Sequence, residues 1–191
     1  MGLVEIGVGL LPAGGGCLNL WRKHIESIPA SVTEIDLAKY YIPVLMAIAT
    51  AKVSSSAADA RANGFLGPQD RIVFNRDHLI GEAKKEVLKM DRDGYGPPVK
   101  QPIKVLGQAA MGMANVQIAD MASGGFVTEY DAFLARRIAT VIGGGEVRDS
   151  ASVPEDVILT LERRAFIDFL KEEKTQARIE HMLKTGKPLR N

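Results

Sequence analysis

The sequence predicts a mainly α-helical protein with one or two short N-terminal strands. Three observations carry that expectation. Apolar residues recur at helical spacing through most of the chain, cap and breaker residues punctuate those runs, and strand signals are confined to residues 3–8 and to "DRIVFN", Asp70 to Asn75.

The elements follow in order. Gly16 to Ser27 reads as a first helix closed by Pro29, and Ile35 to Thr50 as a second, which Pro43 is expected to kink or divide. "SAAD", Ser56 to Asp59, is a capping-box pattern opening a short helix that Gly64 ends. Asp77 to Met90 is strongly amphipathic and runs into breakers between Asp93 and Pro98. Gly107 to Ala122 is rich in Ala, Met and Gly, which suits close packing. Thr128 to Ile142 places Tyr130, Phe133, Leu134, Ile138 and Val141 on one face behind the cap "TEYD". Ser152, Pro154 and Glu155 form a start signal for a helix to about Leu170, and a last helix spans Thr175 to Lys184. The boundary expected is a core over 1–75 and a helical region over 76–191.

Composition narrows the partners. With 24 basic and 23 acidic side chains the charge is balanced, so neither nucleic acid nor an anionic membrane is an expected partner. No run reaches the roughly 20 apolar residues of a membrane helix, and nothing resembles a signal peptide. The single cysteine, Cys17, excludes an internal disulfide and points to a reducing cytoplasm. It is either a buried small residue or a thiol whose pKa a helix start lowers. His24, His78 and His181 lack ligand spacing, so no metal is expected.

The chemistry-bearing stretch is "VEIGVGLLPAGGG", Val4 to Gly16. It fails the dinucleotide fingerprint, because Pro12 stands three residues after Gly9, and it fails the P-loop pattern, because no lysine follows Gly14. Either the glycines let backbone approach a ligand, with amides of the next helix facing an anion, or they form a flexible turn.

This stretch resembles the second active-site segment of the crotonase superfamily, the enoyl-CoA hydratases and isomerases, with Glu5, Gly9, Pro12, Gly15 and Gly16 at matching positions and Val4 in place of a proline. "AKVSSSAADARANGFL", Ala51 to Leu66, is similar to a further segment of that family, through Ser56, Ala57, Ala60 and Gly64. The tail from Glu173 to Asn191 resembles the end of bacterial enzymes that fuse a 3-hydroxyacyl-CoA dehydrogenase to a hydratase domain. "GGGC", Gly14 to Cys17, also looks like the family's first segment, but Leu18 and Asn19 follow where a glutamate belongs.

The resemblance implies the C-terminal helical portion of a crotonase-like α/β spiral fold. It implies Glu5 as a catalytic carboxylate, Gly9, Pro12, Gly14 and Gly15 as substrate-binding residues, and an acyl-CoA thioester as substrate. It also implies fatty-acid β-oxidation as the setting, with NAD bound only by a fused parent domain. The second carboxylate would lie upstream, so the isolated chain is expected to lack hydratase activity. An isomerase portion and a noncatalytic helical oligomerisation module are the alternatives, and the partner is a second copy or an N-terminal part of the same protein.

Overall fold

The computed structural model describes residues 1–191 except 27, 30 and 33, so the expected end of the first helix at Ser27 lies outside the described residues. The helices are α1 Gly16–Ile25, α2 Ala38–Ala49, α3 Ala57–Ala62, α4 Leu79–Arg92, α5 Ala109–Ser123, α6 Glu129–Ile142, α7 Glu155–Lys171 and α8 Glu173–Thr185. Two 3₁₀ turns, Glu5–Val8 and Arg76–His78, complete the helical elements.

The strands differ from expectation. Residues 5–8 wind into a 3₁₀ turn, and Gly2 makes an isolated antiparallel bridge with Val53 that belongs to no sheet. Residues 71–74 form no strand, since Arg71 turns to Glu82 and Glu86 on α4 and Phe74 is almost fully exposed. The sheet consists of β1 Ile103–Lys104 against β2 Ser152–Val153, antiparallel, with Ile103 opposite Val153. Helices packed on helices, with so small a sheet far from the N-terminus, are not a portion of a crotonase-like α/β spiral; that expectation is corrected.

The helical expectations hold closely, and the caps explain why. Thr128 accepts from the Asp131 amide at 3.1 Å while the Asp131 carboxylate accepts from the Thr128 amide at 3.1 Å, a complete capping box. Ser56 accepts from the Asp59 amide at 3.0 Å, but Asp59 reaches back to Ser55 instead of Ser56. Pro43 does not divide α2. It lies at an exposed position of the helix. Ser152 belongs to β2 and caps nothing, and α7 starts behind Pro154.

The central helix is α6, which packs against α1, α2, α5 and α7. It buries Leu134, Ile138 and Ile142, while Ala135 and Ala139 let neighbours approach closely. Trp21 of α1 meets Tyr41 of α2 edge to face at 6.3 Å. Each aromatic donates a bond that anchors its helix: Trp21 Nε1 to the Lys104 carbonyl at 2.8 Å, and the Tyr41 hydroxyl to the Ala139 carbonyl at 3.0 Å.

A buried arginine fastens the last helix. Arg178 of α8 is 1% exposed, pairs with Asp131 at 2.7 Å, donates to Asn191 Oδ1 at 2.8 Å and lies over the Tyr130 ring. Removing one member of such a pair strands the other charge in low dielectric. Arg178→Met is therefore expected to lower unfolding free energy by about 3–5 kcal/mol, read from urea denaturation.

Candidate functional site

The N-terminal segment is held at both ends. Gly9 ends the 3₁₀ turn at φ 79°, and a Cβ there would lie 2.5 Å from Thr175 Oγ1, so glycine is required by both backbone and packing. The Thr175 hydroxyl donates to the Gly9 carbonyl at 2.7 Å and shares a 2.7 Å bond with the Tyr130 hydroxyl. Pro12 is buried, and its carbonyl accepts the Cys17 thiol at 3.3 Å. Gly14 is exposed with φ 71° and open space around it.

The amides at the start of α1 do face an anion, and the anion belongs to the protein. Gly15 N donates to Glu162 Oε2 at 2.7 Å, and Leu18 N donates to Glu162 Oε1 at 2.8 Å. Glu162 sits on α7, 1% exposed, in a stripe shared with Ile158, Ala165 and Phe169. An α-helix leaves its first amides without partners, and here Gly15 offers no side chain to cap them. The carboxylate of another helix replaces the cap, with the favourable sign for the helix dipole.

Burial pushes the Glu162 carboxyl up, and the amide bonds from Leu18, Gly15 and Cys17 offset this only in part. Burial also drives the Cys17 thiol upward, aided by the charges of Glu162 and Glu5. Cys17 is thus an inert, fully buried thiol, not one activated by the helix start.

Glu5 is half-buried in the 3₁₀ turn, and its Oε2 is sealed from solvent without a hydrogen-bond partner. A cavity of about 720 Å³ lies elsewhere, between the C-terminal end of α1 and the extended segment from Pro98 to Lys104. A second, open depression of about 620 Å³ surrounds Tyr130, Phe133 and Lys174. Glu5, Gly9, Pro12, Gly14 and Gly15 line neither. His24 bonds the Leu20 carbonyl at 2.9 Å, and among the described residues no His, Cys, Asp and Glu cluster is placed to hold a metal.

A nicotinamide dinucleotide does not fit the glycine segment. The amides that would receive its pyrophosphate are taken by Glu162, whose charge would repel a second anion. Among the described residues no helix is long and apolar enough to cross a membrane.

A Bacillus subtilis (strain 168) protein named "Probable 3-hydroxyacyl-CoA dehydrogenase" is 39% identical to this chain over 191 residues. The match covers 100% of the chain and 23% of that relative, so the chain spans about a quarter of the relative's length. No protein-family model and no solved structure matches the chain.

The relative's name corrects the reading drawn from the glycine segment. It names a dehydrogenase, and no match carries a hydratase, isomerase or crotonase. The enoyl-CoA hydratase assignment, with its isomerase alternative, is withdrawn. The dehydrogenase half of the tail resemblance agrees with the relative's name.

Sequence reasoning missed Glu162 and Arg178. The signal for Glu162 was a lone acid interrupting the apolar stripe from Ile158 to Phe169, which is costly unless a donor set waits for it.

The buried Glu162 and the half-buried Asp131 titrate with opposite effect. A raised folded pKa favours the fold below the ordinary carboxylate pKa and loses that favour as pH rises through the raised value, which is the case of Glu162. Asp131 is also penalised by burial, but the Thr128 amide and Arg178 outweigh this and hold it low, so its contribution is present above the usual range and lost as pH falls through the depressed value. The destabilisation by Glu162→Gln should therefore shrink with rising pH, and that by Asp131→Asn should shrink with falling pH. Denaturant unfolding of both variants between pH 3 and 7, in about half-unit steps, checks the signs.

Proposed function

We propose that this chain is a helical part of a longer 3-hydroxyacyl-CoA dehydrogenase-type polypeptide, lying on the acyl-CoA side of that enzyme and not on its nicotinamide side. The observation that carries this reading is the 39% identity over the whole chain to a relative of that name. The occupied amides at α1 support the second half, since they leave no free pyrophosphate site in the glycine segment.

Glu5 lines neither cavity and its Oε2 is sealed from solvent, so no substrate contact is assigned to it. A fully buried, inert thiol suits a reducing cytoplasm.

Calorimetry on the 191-residue chain tests the reading. Saturable binding of 3-hydroxybutyryl-CoA is expected, with NAD silent. Binding of NAD with no response to the thioester would overturn it.

A second reading, an assembly role, rests on separate residues. α4 buries nothing, and Ile80, Val87 and Leu88 are exposed on it, while Val116 of α5 and Phe126 behind it are exposed as well. A helix of this length is marginal without a packing partner. Light scattering should find association that Ile80→Lys with Val87→Lys abolishes, whereas a monomer at high concentration contradicts this reading.

A further inference from the structure

We propose that residues 187–191 form a latch: docked, they hold α8 down on the Glu5–Val8 turn, and undocked, they free that turn to open and hydrate Glu5. Gly186 ends α8 in the left-handed region, at φ 68°, and reverses the chain. The five steps from Gly186 to Asn191 reach about 17 Å when extended, and the twelve from Lys174 to Gly186 rise about 18 Å in a helix, so the tail returns along the length of α8. Its tip bonds the first turn, with Asn191 Nδ2 donating to the Lys174 carbonyl at 3.1 Å. Between Gly186 and the tip it is held lightly: Lys187, Pro188 and Arg190 are exposed and Leu189 is half-buried, so few contacts must break for it to lift.

The tip completes the coordination of Arg178. Nη1 of this residue donates to Asp131, which neutralises the charge, and to the Ile6 carbonyl. The opposite edge meets the tail, with Nε donating to Asn191 Oδ1 at 2.8 Å and Nη2 to the Asn191 carbonyl at 3.5 Å. Those acceptors are neutral, which suits a cation already paired. Without them the buried Nε–H is stranded, and water drawn to it reaches the guanidinium that grips Ile6.

A second observation makes the closed turn costly. Glu5 Oε2 is sealed from solvent with no donor among the described residues, and opening the turn restores its hydration. α8 opposes this at two points, through Arg178 on the Ile6 carbonyl at 3.4 Å and Thr175 on the Gly9 carbonyl at 2.7 Å. The turn is loaded to open, and α8, fixed by the tail, keeps it shut.

Amide hydrogen exchange on the full chain tests the latch. Asn191→Ala should speed exchange of the Gly9 and Leu10 amides, which bond the Ile6 and Glu5 carbonyls, by about tenfold, with the amides of α2 unchanged. Asn191→Asp keeps the acceptors that face Arg178 and should stay near wild type. Glu5→Gln added to Asn191→Ala should slow the two amides again, because a neutral amide costs less to bury than a carboxylate. No acceleration by Asn191→Ala, equal acceleration of α2, an Asn191→Asp variant as fast as Asn191→Ala, or no slowing by Glu5→Gln would each overturn it.

Discussion

The carboxylate of Glu162 links the two ends of this fold. It lies in the dry interior between α7 and the start of α1, where an ionised group is tolerated only because backbone amides are aimed at it. The triple glycine is what makes the amides available: Gly15, at φ 96°, turns the chain so that its own N–H and that of Leu18 converge on one point. A Cβ at Gly15 would come within 2.9 Å of Asn19 Nδ2. Arg178 plays the complementary part at the other side of the same segment, bonding the Ile6 carbonyl at 3.4 Å while paired with Asp131. Two buried charges of opposite sign thus hold the N-terminal residues onto helices more than a hundred positions away.

That arrangement bears on function by occupancy. A glycine-rich turn before a helix invites a ligand-binding interpretation because its amides are orphaned. Here the orphans are satisfied internally, so the turn is a joint between helices. A cavity lies at the opposite end of α1, around Ile25 and Lys104, and among the described residues Glu5 Oε2 is a buried acceptor without a donor.

Much of the helical architecture was legible in local pattern, because the caps and breakers act within a few residues. Thr128 to Asp131 specifies its helix start through bonds three residues apart, and the stop after Ile142 needs only its glycines. The strands were not legible, since a strand is defined by its partner. Residues 3–8 have apolar character but pair with no strand, the bridge to Val53 being made by Gly2, while Ile103 and Val153, fifty positions apart, carry no mark of pairing. The candidate site was misjudged for a related reason. The glycines marked a special backbone correctly, yet what fills it, Glu162, lies 147 residues from Gly15.

The most direct test is an amide NMR titration of the chain from pH 3 to 8, in about half-unit steps. The account predicts that the Gly15 and Leu18 amide protons shift together, with one midpoint above that of an exposed glutamate, and that added pyrophosphate moves neither. Amides that ignore pH but respond saturably to pyrophosphate would mean that the start of α1 is open to an external anion, and the account would be contradicted.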